Sequence, residues 1–448
     1  MSTTLHTDQY EYSMLASFIE SGIVNRPAAF EAFTRKLPTG RTYGTFAGLD
    51  RITEAVQNFT FDDDQIEWLH ANGIIDNDTL DYLSHFRFTG SIDALREGDL
   101  YFPNTPVLTV TGTLGECVLL ETLILSILNH DCAVASAASR MVDAANGRPL
   151  IEMGSRRVHE EAAVAAARAA YIAGFTATSN LEAGKRHGIP TTGTAAHAFT
   201  LAHSGLGDDD DPSGETAAFH AQIATHGTTT TLLVDTYDIE QGIRHAVAAA
   251  QAADPAVTGP GGIRIDSGDL AEEAANARRL LDDLGATDTR IVVTSDLDEY
   301  TITRLADSPV DGYGAGTRLS TGSGHPTAGF VYKLVAIADD DNPNTPMRSV
   351  AKKAAAKTSV GGRKLPYREY DDNGTIVREF FTIDNTTVAV KNRCHLIHVP
   401  VMRQGKTVHE PSIDAARRHH SNALNELPDN VRHNLEGEAY LTAELADH

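Results

Sequence analysis

The sequence predicts an α/β protein whose central part is a barrel of parallel strands, and three observations favour this fold. Short apolar runs end abruptly in polar residues seven times over the middle of the chain. Helical patterns fill the stretches between those runs, and helix-capping residues stand at their ends. The seven runs lie at residues 149–157, 174–180, 189–197, 230–238, 262–269, 290–298 and 310–317.

The helices between the runs follow from their start and stop signals. We expect helices over residues 159–173, 215–226, 239–253 and 270–284. Among the signals are the stops Gly174, Gly227 and Gly285 and the N-caps Asp238 and Asp269. Because strands that alternate with helices form parallel βα units, this spacing is typical of a barrel.

Polar side chains follow the apolar runs and would meet at one mouth of such a barrel, because active sites lie at the carboxyl ends of its strands. Any one of them alone is more simply explained as a helix cap or a rim salt bridge. Together they indicate function, since charged groups crowded at one rim lose hydration unless a ligand or a partner satisfies them. The set comprises Arg156, Ser179, His197, Asp235, Arg264, Asp266, Asp296 and the glycines of GAGT at 314–317.

The composition narrows the class of protein. The chain carries 61 acidic and 37 basic residues, and this formal charge of −24 argues against binding to nucleic acid or to an anionic membrane. No signal-peptide pattern opens the sequence, and the apolar run at 118–128 is interrupted by Glu121 and too short to span a bilayer. Cys117, Cys132 and Cys394 are widely spaced, so we expect neither a disulfide framework nor a zinc site. We therefore expect a cytoplasmic enzyme.

Three regions are expected along the chain. Residues 1–115 mix short strands with helices, residues 116–337 begin with a strong helical pattern and continue into the barrel, and residues 338–448 form a C-terminal segment. That segment holds further strand candidates, which would pack back on the N-terminal region and complete its sheet. The four aspartates at 208–211 predict a solvated loop, and His419 and His420 predict an exposed helix face.

Several long motifs, in this order along the chain, resemble the nicotinate phosphoribosyltransferase family. They are TDQYEYSM at 7–14, FTRKLPTGRTYGTFAGL at 33–49, LLETLILSILNHD at 119–131, EMGSRR at 152–157, TSNLEAGKRHGIPTTGTAAHAF at 178–199, GIRIDSGDL at 262–270, SDLDEY at 295–300, GAGTRL at 314–319 and GFVYKLV at 329–335. The resemblance runs from about residue 7 to about residue 370 and is faint in roughly the last 60 residues. It implies a type II phosphoribosyltransferase fold: an irregular α/β barrel with an N-terminal α/β sandwich domain that C-terminal segments complete.

The resemblance also implies a reaction. Nicotinate and 5-phosphoribosyl 1-pyrophosphate would give nicotinate mononucleotide and pyrophosphate, as in NAD biosynthesis or salvage, with ATP as co-substrate in a ligase-type enzyme. Positive charge develops on the ribose in the transition state, and Mg²⁺ shields the pyrophosphate, so carboxylates are useful there. Asp266 and Asp296, each just past a strand, fit the ribose and the pyrophosphate-bound Mg²⁺. Asp235 and Asp269 are weaker candidates, and Asp269 fits equally well as a helix cap.

Two anionic groups need recognition. By resemblance, Arg264 and Arg156 are the family's pyridine-binding and phosphate-binding arginines, and either of them could meet the nicotinate carboxylate. Thr178 and Ser179 match the family segment that borders the pyridine ring. For the ribose 5-phosphate, the resemblance and the free backbone N–H groups of glycine point to a cradle comprising Gly314, Gly316, Thr317 and Gly329. This chain has Phe330 where family members commonly have a second glycine, which departs from the pattern at the Gly329 contact.

The resemblance assigns two further roles and leaves two alternatives. In the family the histidine of GTxAH is phosphorylated by ATP, which implies a phosphohistidine at His197. The tyrosine of TDQY stacks on the pyridine ring of the neighbouring subunit, so Tyr10 would act in trans in a homodimer with shared active sites. The alternatives are a nicotinamide-using relative and a non-catalytic pyridine-nucleotide sensor. The GTAAHAF and EMGSRR forms favour the nicotinate branch, and the retained site residues speak against a sensor.

Overall fold

A computed structural model describes residues 3–207, 211–352, 360–383, 393–409 and 412–446. The chain divides into two compact units: unit 1 comprises Met1–Ser136 with His325–His448, and unit 2 comprises Ala137–Gly324. The predicted regions changed at residues 115 and 337 instead, and that division of the chain stays a prediction. Of the aspartate run at 208–211, the first three residues lie outside the described residues.

The elements alternate in unit 2 and are mixed in unit 1. The strands are β1 (Pro27–Thr34), β2 (Gly44–Thr45), β3 (Ser91–Ala94), β4 (Leu100–Tyr101), β5 (Leu108–Thr113), β6 (Leu150–Glu152), β7 (Ala177–Thr178), β8 (Thr231–Leu233), β9 (Gly262–Ile265), β10 (Arg290–Ser295), β11 (Gly312–Ala315), β12 (Phe330–Ile337), β13 (Arg348–Ser349), β14 (Lys364–Tyr370), β15 (Ile376–Ile383), β16 (Cys394–Leu396), β17 (Val399–Arg403), β18 (Lys406–Thr407) and β19 (Glu444–Leu445). The α-helices are α1 (Gln9–Glu20), α2 (Leu49–Gln57), α3 (Asp63–Ala71), α4 (Asn77–Ser84), α5 (Leu114–Val118), α6 (Glu121–Ala144), α7 (Glu160–Ala173), α8 (Leu181–His187), α9 (His197–Ala202), α10 (Glu215–His226), α11 (Ile239–Ala253), α12 (Leu270–Asp283), α13 (Glu299–Arg304), α14 (Thr317–Ser320), α15 (Ile413–Leu424) and α16 (Asp429–Arg432).

Unit 2 is built on a parallel sheet that curls into a half-barrel, which confirms the predicted fold class. Its strand order is β7-β6-β11-β10-β9-β8. Six of the seven apolar runs supply these strands. The seventh, at 189–197, makes only an isolated bridge between Thr191 and Thr178, so the strand predicted there is wrong. Ile189 is its single large apolar residue and Pro190 offers no backbone donor, so this run has little to bury and little to pair.

The helices of unit 2 confirm the predicted caps. Helices α10 and α11 have the predicted bounds, and α7 and α12 differ from them by one residue at one end. The side chain of Asp238 accepts a hydrogen bond from the backbone of Gln241. Asp269 likewise accepts from Ala271 and Glu272, which confirms the cap explanation for this residue. These caps fix where each helix begins, and therefore where each strand-to-helix loop must close.

Unit 1 contains a seven-stranded sheet in the order β13-β12-β1-β5-β3-β17-β18. Its centre is the antiparallel trio β12, β1 and β5, and the rings of Phe30 and Tyr332 stack across β1 and β12 at 4.9 Å. The C-terminal segment supplies β17, which pairs with β3, and β19, which pairs with β15 in a separate four-stranded sheet. The faintly resembling last part of the chain therefore completes the sheets of this unit.

One expectation about this segment is wrong. His420 is buried, not exposed, and its ring nitrogen Nδ1 donates to the backbone carbonyl of Gly98 at 2.9 Å. The neighbouring His419 lies 3.5 Å from the carboxylate of Asp99. The two adjacent histidines therefore have different surroundings: one is buried and the other lies beside a carboxylate. Their sequence alone does not show this difference.

A long helical stretch runs from Leu114 to Ala144. By length and composition it could cross a membrane, which the shorter apolar run at 118–128 could not. However, 67% of its most apolar window is buried inside the protein, as for the core helix of a water-soluble protein. Such a single stretch is weak support for a membrane span.

Candidate active site

The carboxyl end of β9 presents Arg264 and Asp266 at the rim of the half-barrel. Asp266 Oδ1 accepts a hydrogen bond from the hydroxyl of Thr294 on β10, which fixes the orientation of the carboxylate. The Arg264 guanidinium donates from Nη1 to the hydroxyl of Thr194 at 2.6 Å. Burial lowers the pKa of Arg264, with Arg156 adding to that effect and Asp266 and Asp235 opposing it. Two predicted arginines and two predicted aspartates therefore share one electrostatic neighbourhood.

Asp235, a weaker candidate on sequence grounds, is the structural centre of this neighbourhood. Its side chain is fully buried, and Oδ2 accepts from the backbone N–H of Asp266 at 2.8 Å and from the Ser267 hydroxyl at 2.7 Å. The other oxygen, Oδ1, lies 3.8 Å from Nε2 of His197 and has no hydrogen-bond partner among the described residues. A buried carboxylate oxygen without a donor is costly, so Asp235 Oδ1 is a place where a hydrogen-bond donor would be stabilising.

His197 stands at the first position of α9 and remains within reach of solvent. Its side chain is 42% exposed, and Nδ1 lies 3.2 Å from the Thr236 hydroxyl. Both ring nitrogens thus face residues at the end of β8, Thr236 on one side and Asp235 on the other. This geometry orients the imidazole and leaves part of it open to a reagent.

Glu152, the last residue of β6, was not among the predicted site residues. It is buried, and its carboxylate accepts from the Thr178 hydroxyl at 2.5 Å and from the backbone of Gly154. Burial raises its pKa, while these two donors act in the opposite direction. Glu152 therefore ties the loop after β6 to the end of β7. The sequence signal that could have identified Glu152 is a carboxylate at the end of an apolar run.

The loops that Glu152 joins carry three predicted residues. Thr178, which donates to Glu152, is buried, whereas Ser179 and Arg156 are exposed. The backbone N–H of Ser179 donates to the carbonyl of Glu152 at 2.8 Å. Neither Arg156 nor Arg264 forms an ion pair within the described ranges of the chain.

The predicted phosphate cradle begins at Gly314 inside β11 and continues through Gly316 and Thr317. A Cβ on Gly314 would lie 2.6 Å from Thr294 Cγ2 and 2.8 Å from Met153 Sδ, so this glycine is required by close packing. Helix α14 begins at Thr317, but its four residues give only a weak helix dipole. Asp296 pairs with Arg318 of the same segment at 3.2 Å, both side chains being about half exposed. This pair has no local sequence signal, because Arg318 and Asp296 are 22 positions apart.

The aspartate run contributes one described residue, Asp211, and it contradicts the expectation of a solvated loop. Asp211 is buried and accepts hydrogen bonds from Ser213 and from the backbone of Thr216. Burial opposes ionisation, yet those bonds and His245 lower the pKa of Asp211 to about 2. The carboxylate therefore organises the turn that leads into α10.

Tyr10 and Gly329 belong to unit 1. Tyr10 is 44% exposed, and burial together with the nearby Glu121 raises the pKa of its hydroxyl to about 12. Glu121 lies 3.7 Å from the ammonium of Lys333. Gly329 has a positive φ of 76°, which favours glycine there, and its N–H donates to the Thr327 hydroxyl at 3.3 Å.

Over the ranges that the structure describes, no group of three or more His, Cys, Asp or Glu side chains could hold a metal ion. A Mg²⁺ that arrives with a diphosphate needs only one or two protein carboxylates, because the phosphate oxygens and water complete its coordination. Asp266 and Asp296 have the oxygen ligands that such an ion prefers. The donor set therefore fits a substrate-borne Mg²⁺ and not a protein-only cage.

Three comparisons with known proteins bear on this site. Residues 5–129 match the family model described as the nicotinate phosphoribosyltransferase (NAPRTase) N-terminal domain. The chain is 52% identical over 424 residues to nicotinate phosphoribosyltransferase pncB1 of Mycobacterium tuberculosis, covering 95% of this chain and 91% of that protein. It is 38% identical to nicotinate phosphoribosyltransferase of Bacillus subtilis, covering 82% and 73%. The crystal structure of human nicotinic acid phosphoribosyltransferase matches 98% of each chain with a TM-score of 0.84 at 24% identity, which shows a shared fold.

Proposed function

Because the chain belongs to the nicotinate phosphoribosyltransferase family, we propose that it forms nicotinate mononucleotide and pyrophosphate from nicotinate and 5-phosphoribosyl 1-pyrophosphate. The observation that carries this proposal is the arginine pair of unit 2. Arg264 is partly buried with a lowered pKa, and neither it nor Arg156 has a carboxylate partner in the described part of the chain. A desolvated guanidinium without a carboxylate in direct contact is unfavourable, so a bound anion would stabilise it. The substrates supply such anions as a carboxylate and phosphates.

The reaction needs stabilisation of positive charge on the ribose. The nicotinate ring nitrogen attacks the anomeric carbon, the bond to pyrophosphate breaks, and the electron pair leaves with the pyrophosphate oxygen. Asp266 is suited to stabilise the charge on the sugar, because the Thr294 hydroxyl holds its carboxylate in one orientation at the rim. The backbone of Gly314 and Gly316 is suited to the 5-phosphate.

Mg²⁺ would be held by Asp266 and Asp296 together with the pyrophosphate, and it would neutralise charge that builds up on the leaving group. Arg318 pairs with Asp296 and would hold that carboxylate in place at the rim. The further substrate residues Thr178 and Ser179 would border the pyridine ring, with Glu152 holding their loop.

We also propose that ATP drives the reaction through His197. The imidazole would attack the γ-phosphorus of ATP, ADP would leave, and a later hydrolysis of the phosphohistidine would release phosphate. The contacts with Thr236 and Asp235 support this role, because they orient a half-exposed ring. Tyr10 is proposed to reach the pyridine ring of a partner subunit in a homodimer, consistent with its exposure, and the enzyme is proposed to be cytoplasmic.

The test is a product assay on the purified chain. Nicotinate, and separately nicotinamide, is supplied with phosphoribosyl pyrophosphate and Mg²⁺, with and without ATP, and mononucleotide, pyrophosphate and ADP are measured. The proposal expects nicotinate mononucleotide, faster with ATP. Preference for nicotinamide would support the nicotinamide-using alternative, and binding without turnover would support a sensor.

The same assay tests the histidine. His197→Ala should abolish labelling by γ-labelled ATP and leave a slow, ATP-independent transfer, whereas the nearby His203→Ala should still be labelled. His203 is the matched control, since its Nδ1 contacts a backbone carbonyl, that of Phe199 at 2.8 Å. Acid-labile labelling that persists in His197→Ala would overturn the assignment.

A further inference from the structure

Thr194 lies in the loop before His197 and holds a defined hydroxyl orientation. The hydroxyl donates its proton to the carbonyl of Ala195 at 3.2 Å. Its oxygen accepts from Nη1 of Arg264 at 2.6 Å. Because the proton is used on the loop's own backbone, a lone pair is left facing the guanidinium. Thr194 is thus a rigid link between the loop backbone and Arg264.

That loop, residues 192–196, has little else to fix its position. It forms neither helix nor strand, and a Cβ on Gly193 would meet nothing within 4 Å. The segment Gly193–Ala195 borders an open cleft whose far wall is formed by α10 around Gln222. At one end the loop is tied by the backbone bond from Thr192 to Thr178 at 3.0 Å. At the other end it leads directly into His197.

The hydrogen bond to Thr194 sets the orientation of the Arg264 guanidinium. In the described part of the chain its guanidinium has one hydrogen-bond partner, Thr194, and Nε is buried without any. The donors on Nη2 are therefore available to a ligand, while Nη1 sets the plane of the group. A planar fork binds a carboxylate well only when its plane is fixed.

We propose that Thr194 is a positioning residue that aims Arg264 at the substrate anion and ties that aim to the state of the loop carrying His197. The coupling follows from charge: a phosphoryl group on His197 would face the buried carboxylate of Asp235, 3.8 Å from Nε2. Two negative groups held side by side repel each other, and burial of the Asp235 carboxylate weakens the screening of that repulsion by water. The repulsion moves the loop, and Thr194 transmits the movement to Arg264. The coupling part rests on the proposed function, whereas the positioning part requires only that Arg264 binds an anion.

The test compares three variants. Thr194→Val keeps the shape and removes the hydroxyl, Thr194→Ser keeps the hydroxyl, and Thr192→Val is the control on the same loop. KM and kcat for nicotinate are measured with and without ATP. If the chain also accepts nicotinamide, KM for nicotinamide is measured as well. Thr194→Val should raise the nicotinate KM about tenfold, the scale of one lost hydrogen bond to a charged group, with a smaller change in kcat. It should also shrink the effect of ATP on that KM, and Thr194→Ser should restore both.

The outcomes separate the inference from the proposed function. Loss of nicotinate turnover in the unmodified chain would overturn the function. An active chain in which Thr194→Val keeps the wild-type KM and the wild-type ATP effect would overturn the inference. If Thr194→Val folds poorly in a melting experiment, Thr194→Ala takes its place, and in either case the substitution is also made in an Arg264→Gln background. There Thr194→Val should add nothing to the nicotinate KM, and a full additional effect would show that Thr194 acts independently of Arg264.

Discussion

Arg368 in unit 1 and Arg264 in unit 2 are both arginines that folding removes at least partly from water, and they differ in the partners of their guanidinium groups. Arg368 is fully buried and donates to Asp99 at 2.8 Å, to Glu379 at 2.9–3.0 Å and to the carbonyl of Leu100 at 2.8 Å. Burial works against its charge, but Asp99 and Glu379 outweigh burial and raise the pKa of Arg368 well above its ordinary value. Among the residues that the structure describes, Arg264 has one hydrogen-bond partner, a neutral hydroxyl, and burial lowers its pKa.

The difference separates a structural cation from a receptor for an anion. A buried charge that its own chain satisfies contributes to one folded arrangement and has no capacity left for a ligand. A buried charge that the chain leaves short of partners is a place where binding energy is available. The same residue type therefore marks the interior of one unit and the site of the other, and only the partners distinguish them.

The largest expected effect is on the closed network of unit 1. Arg368→Ala leaves Asp99 and Glu379 buried without their cation, and should lower the free energy of unfolding by about 3–5 kcal/mol. Urea denaturation measures it. Arg378→Ala is the control, because Arg378 is an exposed residue of the same sheet. Unchanged stability in Arg368→Ala would remove the contrast between the two arginines.

The converse result is expected at Arg264. Arg264→Gln should lower kcat/KM for nicotinate about a hundredfold, within the 2–5 kcal/mol typical of removing one partner of a buried charged contact. Stability should stay the same or rise slightly, since a poorly partnered cation is removed. Arg279→Gln, on the exposed face of α12, is the matched control for both measurements. A large loss of stability without a loss of activity would make Arg264 a structural residue like Arg368.

A smaller effect is expected on the pH dependence of stability, through two buried histidines of unit 1. Burial lowers the pKa of His398 and of His420 to about 4, and each ring donates to a backbone carbonyl. The unfolded value is about 6.5, so the neutral rings favour the folded state above that pH, and this stability is lost as the pH falls from about 6.5 to 4. The melting temperature should fall by a few degrees over that window. His398→Gln should weaken the dependence more than the exposed His395→Gln.

Much of the half-barrel was predictable because its causes are local. Apolar runs that end in polar residues predicted six strands, and Asp238 and Asp269 predicted helix starts, since a cap acts within three residues of itself. The run at 189–197 was wrong because its polar ending resembled the others while its apolar part was nearly absent. A pattern at the end of a strand is not sufficient without residues that the strand can bury.

The contacts within the candidate site were less predictable because they join distant positions. Glu152 meets Thr178 across 26 residues and Arg264 meets Thr194 across 70, and neither spacing has a local signature. Asp235 was underrated for the same reason, since its central position depends on three elements folding together. His420 shows the limit most simply: its neighbour in sequence has a different environment, and only the fold decides which of the two is buried.

The completion of unit 1 by its C-terminal strands has a consequence for synthesis of the protein. Strand β1 needs β12 on one side, and β3 needs β17, yet β5 ends at Thr113 and β12 begins at Phe330. At ribosomal rates, β1 waits on the order of ten to forty seconds with an open edge before β12 emerges, and β3 waits longer for β17, while β5 is paired on both sides. The residues of unit 2 are all synthesised within that interval. The nascent chain therefore passes through a stage in which exposed strand edges are vulnerable to wrong pairing, and shielding by chaperones matters most there.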